Sequence, residues 1–131
     1  MTKFLIAYAV TGGAFLALDA IWLTLMSGPF YRPQLGDLMR DKIVLGPSIA
    51  FYLIYVGVLT ALIVAPATVP MRALWQGMLL GLAAYATYNL TNAATLKNWP
   101  GLLTYVDLAW GALATGAAAW LSVLMLSHFR G

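Results

Sequence analysis

Four apolar runs, each interrupted by a few polar residues, set the pattern of this chain. They cover residues 4–26, 48–65, 74–96 and 102–126. About 20 apolar residues span the hydrocarbon core of a bilayer, and each run is of that order. Gly28-Pro29 stops the first, Pro66 and Pro70 close the second, and Pro100-Gly101 separates the third from the fourth. The pattern predicts an all-α polytopic membrane protein, one domain of four transmembrane helices over 1–131. A signal peptide is the rival reading of the first run, because Lys3 precedes it. The run is longer than an ordinary signal core and Asp19 interrupts it, which favours an uncleaved helix.

The faces of these helices are uneven. Thr11, Phe15, Asp19, Trp22 and Met26 recur at helical spacing on the first. Ala9, Gly13 and Ala17 form a small-residue stripe that predicts close helix contact. On the third, Gly77, Gly81, Tyr85, Tyr88 and Asn92 share a face with Asn89 on its shoulder. On the fourth, Asp107 opens a face continued by Gly111, Ala114 and Ala118. Tyr52 and Tyr55 read as interfacial anchors of the second. In the long connection, Pro33 suits a first helical turn. Leu35, Leu38, Met39 and Ile43 then fall opposite Asp37, Arg40 and Asp41. This predicts a short interfacial helix between the first and second spans, with a solvated loop as the alternative.

Four antiparallel spans place both termini on one side and the 27–47 and 97–101 connections on the other. Asp19, Asn89, Asn92 and Asp107 all come toward that second side. The connections there hold four basic residues, Arg32, Arg40, Lys42 and Lys97, against three, Lys3, Arg72 and Arg130, on the terminal side. So even a split does not fix orientation by the positive-inside rule. Leu18-Asp19-Ala-Ile-Trp22 also echoes Val106-Asp107-Leu-Ala-Trp110, a D-x-x-W on each of two antiparallel helices. The second and third spans show no matching pattern of an inverted repeat.

Composition agrees with lipid as the solvent: the chain is 63% hydrophobic and 8% charged, against about 25% charged in soluble domains. The net charge of +3 reads as topology and headgroup contact, not nucleic-acid binding, since no basic run with interleaved aromatics is present. There is no Cys and one His, His128. Disulfides, thiolate sites and bis-His haem ligation within one chain are thereby excluded. No nucleophile elbow, zinc-protease or phosphate-loop motif occurs. Neither a cofactor nor a metal site is expected, although Asp19, Asp107 and two Asn oxygens are a conceivable hard-cation set.

The stretch Tyr88-Asn89-Leu-Thr-Asn92-Ala-Ala-Thr-Leu-Lys97-Asn-Trp99-Pro100, followed by Val106-Asp107-Leu-Ala-Trp110-Gly111, resembles an uncharacterised bacterial membrane-protein family, domain of unknown function 2177. The resemblance extends over essentially the whole chain, including Asp19-Ala-Ile-Trp22. It implies a multi-pass protein of the cell inner membrane and brings no activity. The family often carries an Asp where this chain has Asn89, so an acid role is not carried over to that position.

Polar groups are costly inside a bilayer. A carboxylate at the centre of a span costs about 2.5–3.5 kcal/mol on insertion scales. Asp19 and Asp107 must therefore face the bundle, reach the interface, find partners or take up a proton. Asn89 and Asn92 suit interhelical hydrogen bonding. Lys97 suits snorkelling at the interface or an ion pair with Asp107. Trp22, Trp99 and Trp110 suit the aromatic belt or packing. The candidate pocket comprises Asp19, Trp22, Tyr85, Tyr88, Asn89, Asn92, Lys97, Asp107 and Trp110. The favoured reading is a binding protein for a lipid or small amphipathic molecule near one membrane face, with membrane lipids as partners and a second copy or a membrane partner protein as further ones. The alternatives are a small proton-linked transporter acting as a dimer and a membrane enzyme using an intramembrane Asp.

Overall fold

The structure, a computed structural model, describes residues 1–130. The described residues form helices and short connections: α1 (Thr2–Met26), α2 (Arg32–Leu35), α3 (Leu45–Leu59), α4 (Pro70–Thr95) and α5 (Gly101–Arg130). The side chain of Arg130, counted above on the terminal side, lies outside the described residues. Among the described residues, three helical stretches are long and apolar enough to cross a membrane: Thr2–Leu38, Leu45–Val64 and Gly101–Phe129. α4 has the length, at 26 residues, but its Arg72, Gln76, Asn89 and Asn92 leave it more polar than the others.

The helices run close to the apolar runs of the sequence. The connection after α1 does not follow expectation. Gly28-Pro29 does not stop the helix. Ser27–Tyr31 forms one π-helical turn, closed by the Arg32 N–H on the Ser27 carbonyl, and the chain continues into α2. A proline inside an α-helix has no N–H to give and clashes with the turn before it. The wider turn accommodates both defects. Gly36, at φ 55°, then ends α2, and a single 3-10 turn reaches Leu38. The separate helix expected over 33–44 is therefore absent: its first half is the tail of α1, and its second half, from Met39, is irregular. Leu38 and Ile43 are exposed, while Leu35 and Met39 are half-buried.

α4 and α5 form the tightest pair. A Cβ at Gly77 would meet the Thr115 carbonyl oxygen at 2.8 Å and the Gly116 Cα at 2.9 Å. At Gly81 it would run into the Gly111 carbonyl. Backbones this close require glycine. α1 lays its buried face, Ala7, Thr11, Phe15 and Asp19, against α3 and α5. Phe15 fills the centre, its ring 5.3 Å from Tyr55 and 6.2 Å from Tyr52. The small stripe Ala9, Gly13 and Ala17 points away from the bundle, and nothing lies within 4 Å of a Cβ placed at Gly13. The expected helix contact there is not made, because the larger face carrying Phe15 and Asp19 occupies the interior.

α3 is tied at its middle, where the Tyr8 hydroxyl donates to the Leu53 carbonyl at 2.6 Å and the Tyr55 hydroxyl pairs with Thr115 Oγ1 at 2.7 Å. Its backbone comes closest to α4 at its last turn, the π-helical Thr60–Val64, and Tyr55 meets Tyr85 edge-on with ring centroids 6.4 Å apart. Toward the other end α3 and α4 stand apart. That gap positions the site.

Candidate functional site

Two buried carboxylates organise the end of the bundle away from the termini. Asp19 is 7% exposed and Asp107 8%. Each is met by two neutral donors. Asp107 accepts from the Tyr31 hydroxyl and from Asn89 Nδ2, both at 2.7 Å. Asp19 accepts from the Tyr52 hydroxyl and, at 3.3 Å, from Trp110 Nε1. None of these partners is a cation. Lys97 is exposed beyond the end of α4, so the ion pair offered by the sequence is replaced by Tyr31 and Asn89.

The two D-x-x-W segments meet. Trp22 and Trp110 stack with ring centroids 4.4 Å apart and planes 6° from parallel. Trp110 bonds to Asp19 on the neighbouring helix. Trp22 Nε1 donates at 2.8 Å to Tyr31, which in turn donates to Asp107. The stacked pair thus joins both carboxylates in one network of indoles and phenols. The exchange is unsymmetrical, since Tyr31 is interposed on one side only.

The π turn explains how Tyr31 gets there. At 3.6 residues per turn, nine residues of uninterrupted α-helix would put Tyr31 about 180° from Trp22. One extra residue in the turn removes about 100° of that and swings the phenol toward the side of Trp22. The sequence carried a partial signal, an aromatic pair Phe30-Tyr31 directly after Gly-Pro. Tyr52 is the other residue the sequence reading placed elsewhere, as a belt anchor. Its hydroxyl turns inward because the carboxylate of α1 faces it.

On α4 the row Ala73, Gly77, Gly81 and Asn89 is buried. Asn89, placed on the shoulder by helical spacing, is at the centre and fully buried. Its Nδ2 also donates to the Tyr85 carbonyl at 3.0 Å, and its Oδ1 is buried without a hydrogen-bond partner. Tyr88 is 55% exposed, and Asn92 is half-buried. Trp99 donates to Thr104 Oγ1 at 3.1 Å and packs edge-on to Tyr88.

A cavity of about 620 Å3 lies between α3 and α4. Ser48, Phe51 and Tyr52 line it from α3, Ala84, Tyr85 and Tyr88 from α4, and Asp107 from α5. It brings together Tyr85, Tyr88 and Asp107 of the sequence candidates. Asp19, Trp22, Asn89 and Trp110 form the hydrogen-bonded layer behind it, and Lys97 and Asn92 are not among its walls. Among the described residues no three His, Cys, Asp or Glu side chains gather as a metal site would need. Chemically, the cavity offers aromatic faces, hydroxyls and one carboxylate.

The network makes a stability prediction. Tyr52→Phe removes one of the two donors to Asp19 and leaves the 3.3 Å Trp110 bond. A hydrogen bond to a charged group contributes about 1.5–3 kcal/mol, and a loss of that size is expected in reversible unfolding of the detergent-solubilised protein. Tyr88→Phe, whose hydroxyl makes no bond within the network, is expected to stay within about 0.5 kcal/mol of the parent. Equal effects of the two changes would show that Tyr52 does not support Asp19.

No curated protein and no solved structure matches this chain. The family model described as "Predicted membrane protein (DUF2177)" matches residues 4–124. With nearly its whole length under that match, the chain belongs to this family of membrane proteins.

Proposed function

We propose that the chain crosses the bacterial inner membrane four times and binds a lipid or small amphipathic molecule in the cavity between α3 and α4. The cavity itself carries this reading. Its volume, about 620 Å3, falls within the range of about 300–1,000 Å3 usual for small-molecule sites. Phe51, Tyr52, Tyr85 and Tyr88 give it aromatic walls, and Asp107 gives it a carboxylate. The parting of α3 and α4 opens it sideways, the direction from which a molecule dissolved in a bilayer would arrive.

A fourth span through α4 is supported by how its polar groups are satisfied. Asn89 is inside the bundle. Thr87, Thr91 and Thr95 are exposed but return their hydroxyls to the carbonyls of Ala83, Thr87 and Thr91. Such back-bonding satisfies the exposed threonine hydroxyls without water.

Two measurements check this. Native mass spectrometry of the purified protein is expected to show a co-purified amphiphile at about one per chain, lost in Ala84→Trp, which fills the cavity. Retention of the same molecule by Ala84→Trp would remove the cavity from consideration. The chain has no native Cys, so single Cys residues at positions 2, 37, 70 and 99 report topology cleanly. Positions 2 and 70 are expected to label from one side and 37 and 99 from the other. Labelling of 37 and 70 from the same side would contradict four spans.

A further inference from the structure

We propose that the molecule taken by the cavity is an amphiphile whose head carries an ammonium group. This rests on the reading of the cavity as an amphiphile site and adds the charge of the head. Among the described residues, Asp107 is the only charged one lining the cavity, beside Ser48, Phe51, Tyr52, Tyr85 and Tyr88. No Lys or Arg is among those walls. A phosphate or carboxylate head would meet a carboxylate and find no basic partner.

The hydrogen-bonding inventory points the same way. Asp107 accepts from Tyr31 and Asn89, so both its oxygens are met by neutral donors and neither by a cation. Among the described residues no cation faces Asp107 from the cavity wall, and an ammonium would supply one.

The aromatic walls suit the same group. Phe51 and Tyr88 stay substantially exposed, 43% and 55%, on the two sides of the gap. Ring faces attract organic cations through their quadrupoles, by about 0.5–2 kcal/mol each depending on desolvation. An ammonium between Phe51 and Tyr88 and above Asp107 would combine ring and carboxylate attraction. The hydrocarbon chain of the ligand would leave through the opening between α3 and α4.

The test uses the full chain in uncharged maltoside micelles, with binding read by native mass spectrometry. Dodecyltrimethylammonium is compared with dodecyl phosphate, dodecanol and chain-free tetramethylammonium. The ammonium amphiphile is expected to bind at one per chain, at least about tenfold more tightly than the other three, an energy difference of about 1.4 kcal/mol. Asp107→Asn and Tyr88→Leu are each expected to weaken it by about tenfold. Tyr88→Leu keeps the test decisive if Asp107→Asn fails to fold, because Tyr88 makes no bond within the carboxylate network. Equal binding of the three dodecyl probes, lowered together by Ala84→Trp, would overturn the ammonium assignment and leave the amphiphile cavity standing. Equal binding of tetramethylammonium would overturn the need for a chain. Binding of none of the probes would overturn this proposal and the parent reading together.

Discussion

Everything at this end of the bundle depends on keeping two carboxylates inside an apolar protein with no cation among their described partners. A buried charge is tolerated only where hydrogen bonds replace water. Here the replacements come from four directions: Tyr31 from the turn after α1, Tyr52 from α3, Asn89 from α4 and Trp110 from α5. Each donor sits on a helix other than the one carrying its acid. Satisfying Asp19 and Asp107 is therefore the same event as docking the helices. The π turn at Ser27–Tyr31 serves that event, since it delivers a phenol to a carboxylate that α1 alone would not reach.

The same requirement shapes the cavity. Close packing of α4 on α5 through Gly77, Gly81 and Gly111 draws Asn89 against Asp107. Tyr52, held on Asp19, keeps the start of α3 with α1. α3 and α4 are thus each committed to a different neighbour. They come closest at Thr60–Val64, near the linker that joins them. The gap at the other end is a consequence of these commitments, and Asp107 lies at its floor. Asp107 belongs to both the supporting network and the cavity wall.

Much of the fold was legible because apolar run length and proline position speak directly to helices in lipid. The buried face of α1 was legible too, since Thr11, Phe15 and Asp19 repeat at helical spacing and all three are buried. The connection was not. A glycine–proline pair reads as a stop, and nothing in a propensity argument says that a π turn will absorb it. Asn89 was read one step off the centre of its face because ideal helical spacing favoured Tyr88 and Asn92. The actual packing row follows every fourth residue through Gly77, Gly81 and Asn89. The partners of the acids were harder still. Tyr31 and Tyr52 are ordinary belt residues until it is known which carboxylate faces them, and that is a property of the assembled bundle. Counting donors against acids would have helped, because a chain this apolar has few side chains able to solvate an aspartate.

The most direct test of this account is a double-mutant cycle between Tyr31 and Asp107, with Tyr31→Phe, Asp107→Asn and the double variant unfolded reversibly in detergent. If the phenol supports the buried carboxylate, the two changes will couple by about 1–3 kcal/mol, since contacting residues in one hydrogen-bond network are not additive. Additivity within about 0.3–0.5 kcal/mol would contradict it. The turn after α1 would then have no part in holding Asp107 inside the bundle.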